Sequence, residues 1–189
     1  VYKRQGVVMI EGIKTVPQGY RPYCGLNTLA MAARHFGMHL DEDWMAAAAG
    51  FQNTGSAGGS NMVKLYSAVA AEAGLSLDRR SKFSESVVKG ALDRGLPVIV
   101  WRRFSHERNR LHDRVSRDRA AELPDPSGVE EQASWPDEDA PLHASVITGY
   151  DDGRNEVFFL ESWNGHDRTR RMRIEEMAAT SYLCFAFKP

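Results

Sequence analysis

The sequence predicts an α+β fold, with helices in the first half of the chain and a mainly antiparallel sheet in the second. Three observations lead to this prediction. Apolar residues recur at helical spacing in several segments before residue 95. A β-branched run, LPVIVW (96–101), follows and predicts a buried strand. Two later runs of β-branched and aromatic residues flank an Asp-Gly turn signal, which predicts a hairpin. The length of 189 residues suits a single domain spanning 1–189.

The helices are predicted from apolar spacing and from the residues at their ends. The first, from Cys24 to Phe36, has apolar residues three or four positions apart and is followed by Gly37, which can end a helix. Each of the other three predicted helices follows a residue whose side chain can cap it, namely Asp41, Ser60 and Ser84. The stretch NTGSAGGS (53–60) is predicted to be a loop.

Strands are predicted near the N-terminus and throughout the C-terminal third. Residues 5–10 (QGVVMI) predict a short strand. The runs HASVITGY (143–150) and EVFFLESW (156–163) are joined by DDGRN and predict a β-hairpin, because both are rich in β-branched and aromatic residues. The segment 172–187 is predicted to form a short strand, one helical turn and a last strand.

The segment from about 102 to 141 differs from the rest in being rich in Arg, Asp, Glu and Ser. Its first part, to about Leu123, is predicted to be a charged helix, and its second part an irregular loop. We interpret the segment as a polar surface insertion in which His106 and His112 are solvated. The alternative is a lid or substrate-gating loop, since long loops in compact domains are often functional.

Composition excludes several classes of protein. The formal charge is −1, so no global field attracts the chain to nucleic acid. No apolar run approaches the roughly 20 residues of a membrane-spanning helix. Two cysteines, Cys24 and Cys184, are too few for a disulfide scaffold, although they could form one bridge. The histidines are scattered, so no metal site is predicted.

Cys24 stands where turn residues, including Pro22, give way to the first helical pattern. Unpaired backbone N–H groups and the helix dipole place partial positive charge at a helix start. This charge stabilises a thiolate, and the same N–H groups can bind an oxyanion. Cys24 is therefore a candidate nucleophile. The alternative is a small buried apolar residue, as free cysteines often are; Cys184, in a strand pattern, is predicted to be buried and inert.

The predicted hairpin offers a partner for this thiol. If its strands pair about a turn centred near Asp152, His143 lies directly opposite Glu161. The carboxylate could then accept a hydrogen bond from one imidazole nitrogen and direct the other nitrogen toward a partner.

These residues resemble a known family. The pattern Gln18-x5-Cys24-Gly25, His143 opening a strand and Glu161-Ser162-Trp163 closing the next is similar to the papain-like cysteine peptidase superfamily, and most similar to its peptidase C39-like group. The resemblance implies a papain-like fold, with Cys24 on the first long helix of a helical half. A sheet half would carry His143 and Glu161 across a cleft.

The resemblance also implies roles for these residues. Cys24 would be the nucleophile and His143 the general base and then the general acid. Gln18 would donate its side-chain amide to the oxyanion, and Glu161 would orient His143. The third position is usually Asn or Asp in these families, so the longer Glu161 is a departure, and Asn164 or Asp151 are alternatives. Trp163 would shield the hydrogen bond between His143 and the acid.

The implied activity is hydrolysis of a peptide or amide bond through a thioester, with a peptide or protein substrate and no cofactor. Two alternatives stay open: transglutaminase-like acyl transfer on the same residues, and a non-catalytic domain that binds a peptide or a partner chain. The resemblance implies a bacterial-type soluble domain. The chain starts at Val1 rather than Met, so we expect either a cytoplasmic protein or an exported one whose N-terminal segment is missing. The oligomeric state is left open.

Overall fold

The computed structural model of the protein describes residues 1–51, 59–163 and 168–189, with the backbone alone for residues 59 and 60. Its helices are α1 (Cys24–His35), α2 (Glu42–Ala48), α3 (Gly59–Glu72), α4 (Glu85–Asp93), α5 (His106–Arg117), α6 (Val129–Ala133) and α7 (Ile174–Thr180). Its strands are β1 (Tyr2–Arg4), β2 (Val7–Met9), β3 (Ser76–Arg80), β4 (Val98–Arg103), β5 (Leu142–Asp151), β6 (Glu156–Leu160), β7 (Arg170–Arg173) and β8 (Ser181–Lys188).

The described strands form one antiparallel sheet. Hydrogen-bonded neighbours follow the order β1-β2-β5-β4-β8-β3, and β5 also pairs with β6, which pairs with β7. β5 therefore lies at the centre and is the longest strand described. Because it has strand partners along its length, the residues at its start are held in a defined position.

Helices cover both faces of the sheet and create two apolar clusters. Ile99 and Trp101 of β4 pack with the cluster that contains α1 and α3 residues such as Leu29 and Tyr66. Val98 and Val100 of the same strand join the cluster that includes α4 and α7, with Leu92 and Met177 among its members. Successive side chains of a strand point to opposite faces, so burial of both faces explains the unbroken apolar run.

Close packing against α3 positions the start of α1. A Cβ atom added to Gly25 would lie 2.8 Å from Met62 Cε and 3.4 Å from Tyr66 Oη. The Tyr66 hydroxyl donates a hydrogen bond to the Gly25 carbonyl at 2.5 Å. The opposite end of α1 agrees with the sequence prediction, since Phe36 is its C-cap and Gly37 has a φ of 82°.

Two of the predicted caps can be assessed. The Asp41 side chain accepts a hydrogen bond from the Trp44 backbone N–H at 2.8 Å, so the predicted cap of α2 is confirmed. Ser84 does precede α4, but its side chain makes no capping hydrogen bond. The loop predicted over 53–60 and the Ser60 cap were wrong at their C-terminal end, because α3 begins at Gly59 and Ser60 therefore lies within the helix. The rest of that predicted loop, 53–58, lies outside the described residues.

The N-terminal segment forms a two-stranded hairpin, so the prediction of a single strand there was wrong. Residues 5–10 were expected to form one strand, but Gln5 and Gly6 have φ values of 45° and 82° and turn the chain between β1 and β2. Left-handed backbone at both central positions is typical of a two-residue hairpin turn. β3 was not predicted, because its charged sequence SLDRR pairs only with β8 in the described sheet and lacks a strong apolar alternation.

The segment between β4 and β5 is more ordered and more buried than predicted. β4 continues through Arg103, so the connection starts at Phe104, and it contains α5 and α6. His106 is exposed as expected, but His112 is only 1% exposed and its Nε2 lies 3.1 Å from Glu176 Oε2. The prediction of a solvated His112 was wrong, because α5 buries polar side chains against α7 through ion pairs.

Arg108 shows how this polar helix is held. Its guanidinium lies 2.6 Å from carboxylate oxygens of both Glu131 and Glu176. The connection is thereby tied to α6 and to α7 through charged pairs rather than through an apolar stripe. Among the helices that the structure describes, none combines the length and the apolar character needed to cross a membrane.

Candidate active site

Cys24 is the first residue of α1 and is partly buried. Its backbone N–H has no acceptor within the helix, as is general for the first turn. The thiol is hydrogen-bonded with the His143 side chain and with backbone groups of Ala144 and Gly25. The structure therefore brings together the helix start and the start of β5, which are far apart in the chain.

His143 occupies the second position of β5 and is 6% exposed. Its Nε2 lies 2.5 Å from Glu161 Oε2. Because Nε2 is engaged by the carboxylate, Nδ1 is the nitrogen left to face the Cys24 thiol. This arrangement gives the imidazole a fixed orientation between an acid and a sulfur atom.

The pairing of His143 with Glu161 arises from a different register than the one predicted. The ladder pairs Val146 with Leu160 and Asp151 with Glu156, and it shifts between Ile147 and Gly149. Extending the pairing by one residue places Glu161 opposite Ser145. The predicted turn, centred near Asp152, was placed too early along the chain, because Asp151 pairs with Glu156 and the chain turns through to Asn155, which has a φ of 55°.

The contact forms despite this shift of register. His143 and Ser145 are two positions apart on β5 and so belong to the same face. Glu161 lies past the end of β6, and its side chain reaches diagonally to the imidazole while it also accepts a hydrogen bond from Ser145 Oγ at about 3.0 Å. A diagonal neighbour is within reach of a long side chain, and the length of glutamate suits this distance.

Three pKa shifts follow from this packing. Burial alone would raise the pKa of Cys24, but the hydrogen bond and charge of His143 lower it. Burial would lower the pKa of His143, yet the charge of Glu161, with the hydrogen bonds to Cys24 and Glu161, raises it to about 9. Burial would raise the pKa of Glu161, but the charges of His143 and Arg102 hold it at about 2. These directions favour a thiolate beside an imidazolium at neutral pH.

Gln18 lies in the loop that leads to α1. Its backbone N–H donates to the Ser162 carbonyl at 2.7 Å, and the Ser162 hydroxyl donates to Gln18 Oε1 at 2.6 Å. One N–H of the Gln18 amide donates to the Arg21 carbonyl at 2.9 Å. Ser162 thus fixes which way the amide points, with its nitrogen toward the loop that precedes Cys24.

Trp163 covers the imidazole. Its ring stacks on His143 with centroids 4.4 Å apart and planes 18° apart. Phe104 packs on Trp163 at 5.2 Å, and the Arg170 guanidinium lies 5.3 Å from the indole centroid. The stack restricts the ring of His143 and separates its hydrogen bond with Glu161 from solvent on this side.

The other predicted candidates are placed as follows. Asp151 is at the opposite end of β5 from His143, roughly 26 Å along the strand, where it accepts from the Arg154 backbone N–H. Asn164 lies outside the described residues. Cys184 is 1% exposed, both cysteines are free, and burial raises the pKa of Cys184 to about 12. The described residues contain no cluster of three or more metal-ligating side chains.

Sequence reasoning missed two side chains at this site, Arg102 and Ser145. Arg102 directly faces His143 across the β4–β5 ladder and ion-pairs with Glu161 at 2.6 Å. Ser145 lies 3.0–3.1 Å from both oxygens of the same carboxylate. A signal existed in the arginine that follows the apolar run LPVIVW, since a charge adjoining a fully buried strand requires a partner.

Solved structures of other proteins share this fold. A protein from Bacillus anthracis described as a C39-like peptidase superposes with a TM-score of 0.63 at 12% identity, over 98% of this chain and 99% of that one. The peptidase domain of Streptococcus ComA, a bifunctional ABC transporter involved in quorum sensing, gives a TM-score of 0.57 at 16% identity, over 94% and 99%. A double-glycine-motif protease from an AMS/PCAT transporter, solved with a leader peptide, gives 0.51 at 15% identity, over 98% and 99%.

The fold is therefore that of C39 peptidase domains, and the predicted papain-like α+β class is confirmed. The model of the Peptidase_C39 like family matches residues 10–187, so the chain belongs to that family. No curated protein sequence matches the chain at a significant level. Family membership supports a cysteine peptidase at the level of the class.

Proposed function

We propose that the chain is a cysteine peptidase or amidase that hydrolyses its substrate through a thioester on Cys24. His143 acts as general base and then general acid, and Glu161 orients it. Gln18 and the start of α1 bind the oxyanion. The observation that carries the proposal is the continuous hydrogen-bonded set from thiol to imidazole to carboxylate.

The first half of the reaction is formation of the acyl-enzyme. The Cys24 thiolate attacks the carbonyl carbon of the scissile bond, and the electron pair of the C=O bond moves to the oxygen. The backbone N–H of Cys24 and the second N–H of the Gln18 amide donate to that oxyanion. The tetrahedral intermediate then collapses as His143 gives its proton to the leaving nitrogen, and the amine departs.

The second half reverses these roles. Neutral His143 takes a proton from a water molecule, whose oxygen attacks the thioester carbonyl. Collapse of the second tetrahedral intermediate expels the thiolate and releases the carboxylic acid. Glu161 stays ionised throughout and compensates the positive charge of the imidazolium. The family, and a structural neighbour solved with a leader peptide, support a peptide as substrate.

The proposal is tested first by the reactivity of Cys24 toward iodoacetamide between pH 5 and pH 10, followed by mass spectrometry of the modified peptide. We expect alkylation at pH 6 to be at least tenfold faster than for a free thiol of pKa about 8.5. Cys184, which is buried, serves as the internal control. His143→Ala should return the pH dependence of Cys24 to that of an ordinary thiol.

Turnover is tested with a peptide library analysed for cleavage, with Cys24→Ala as the control. If Cys24 reacts at pH 6 as slowly as a free thiol and no peptide is cleaved, the chain is a non-catalytic binding domain and the proposal is wrong. If a trapped thioester passes to added amines faster than to water, the same residues carry out acyl transfer instead of hydrolysis.

A further inference from the structure

Arg102 is a buried charge in contact with the proposed triad that the family pattern does not include. It is 3% exposed and sits directly opposite His143 in the β4–β5 ladder. Its Nη2 donates to Glu161 Oε1 at 2.6 Å, and its Nε donates to Ser145 Oγ at 3.1 Å. The guanidinium also lies 5.3 Å from the Phe159 ring centroid. These contacts fix the position of its charge.

The two oxygens of Glu161 have different partners. Oε2 faces His143 at 2.5 Å, whereas Oε1 faces Arg102 at 2.6 Å. Ser145 Oγ, which accepts from Arg102, lies between the two oxygens. A glutamate has one more rotatable bond than the shorter acid or amide usual at this position, so it needs more restraint. Arg102 and Ser145 supply that restraint.

We propose that Arg102 is a positioning residue for the pair His143–Glu161, which places a fixed positive charge against the carboxylate and so limits how strongly Glu161 raises the basicity of His143. This inference rests on the proposed function of the site. Arg102 acts through Glu161 and needs no contact with the substrate.

Among the described residues, several other titratable or charged groups surround this pair. Cys24 approaches from α1, and Arg170 approaches from β7 and lowers the pKa of Glu161 together with Arg102. On α5, the charge of Arg102 contributes to lowering the pKa of His112, after the larger effect of burial. Arg102 donates a short hydrogen bond to Glu161 and pairs directly with His143 in the ladder, so we expect its removal to act on this pair.

The expected consequence is a change in the basicity of His143. Without the positive charge at position 102, the carboxylate is still held beside His143 by the hydrogen bond from Ser145 Oγ. It then stabilises the imidazolium more strongly, and the pKa of His143 rises. Through an intervening carboxylate we expect an upward shift of roughly 0.5–1.5 pH units. A purely structural role of Arg102 would lower the stability of the fold and leave this pKa unchanged.

The experiment compares Arg102→Gln and Arg102→Met, which remove the charge, with Arg102→Lys, which keeps it. Two readouts are used: the alkaline limb of the rate of Cys24 alkylation, and the NMR titration of ¹⁵N-labelled His143 in a Cys24→Ala background. The pKa of His143 from both readouts should rise in the uncharged variants and stay within about 0.3 pH units of wild type in Arg102→Lys. Met fills the space of the aliphatic stem and gives a second uncharged variant should Gln impair folding.

The matched control is Arg171→Gln. Arg171 is also a buried arginine on a strand, paired with the buried Glu156 at 3.0 Å, but on the far side of β6 from β5. The Arg171→Gln substitution should lower the free energy of unfolding and leave the pKa of His143 unchanged. The proposal is overturned if the uncharged Arg102 variants leave that titration in place or move it downward. An unreactive Cys24 in the wild type would instead contradict the proposed function, while the NMR titration would still report on Arg102.

Discussion

His143 and Glu161 lie 2.5 Å apart between Nε2 and Oε2, although the strand register places Glu161 next to Ser145 rather than opposite His143. The long side chain of glutamate bridges this diagonal. A Glu in place of the usual Asn or Asp is therefore matched to the local geometry of the hairpin.

Substitution of Glu161 by Gln tests this relationship. The neutral amide no longer stabilises the imidazolium, so the pKa of His143 should fall from about 9 and the alkaline limb of Cys24 alkylation should move to lower pH. We expect kcat/KM to fall roughly 10²-fold or more. Glu161→Asp keeps the charge but shortens the reach, and should fall between Gln and wild type. Unchanged pH profiles in both variants would contradict the assignment.

Gln18 is expected to contribute to the rate of the chemical step rather than to substrate binding. Removal of its amide in Gln18→Ala should lower kcat by roughly 10²–10³-fold with little change in KM, because the oxyanion exists only in the transition state and intermediate. The control is Gln132→Ala on the exposed face of α6. A rise in KM at constant kcat would instead assign Gln18 to ground-state binding.

The close pairing of β2 with β5 predicts a large effect at one glycine. A Cβ atom added at Gly149 would overlap the Val8 carbonyl oxygen and lie 3.0 Å from Met9 Cα, and backbone atoms cannot move aside easily. Gly149→Ala should lower the free energy of unfolding by about 3 kcal/mol, as measured in urea.

Gly90 provides the matched comparison in α4. A Cβ atom there would meet only the flexible Arg94 Nη1 at 3.8 Å. Gly90→Ala should raise stability by about 0.5–1 kcal/mol, because alanine has the better helix propensity. Equal effects of the two substitutions would contradict the close approach of β2 to β5.

Acid should destabilise the fold through buried carboxylates. Burial would raise the pKa of Glu176, but the hydrogen bonds and charges of His112 and Arg108 hold it at about 2, below its unfolded value of about 4.5. The stabilisation is therefore present above pH 4.5 and is lost as the pH falls toward 2. For this group it is on the order of 3 kcal/mol. His112, whose pKa is lowered by burial, adds to the loss in the same direction.

Urea unfolding between pH 7 and pH 3 measures this loss. Glu176→Gln should be less stable at pH 7 and should show a shallower decline with acid, since it cannot bind the extra proton on unfolding. Glu130→Gln on α6, an exposed position, should keep the slope of the wild type. A parallel decline in all three proteins would show that Glu176 is not the linked group.

Local patterns account for what could be predicted. The position of Cys24 at the start of α1, the cap of α2 and the hairpin of β5 and β6 depend on neighbours within a few residues, and their sequence signals agree with the structure. β3 and the burial of His112 depend on partners far along the chain, and these were missed.

The sequence by itself determined that Cys24 stands at a helix start and which types of side chain the candidate site contains. Tertiary structure alone decided that the Cys24 sulfur meets the imidazole of His143, that Glu161 reaches it diagonally, and that Arg102 forms an ion pair with that carboxylate. The reason is physical: helix and turn signals act between near neighbours, whereas charge pairing in a buried site depends on strand order and register, which the whole core sets.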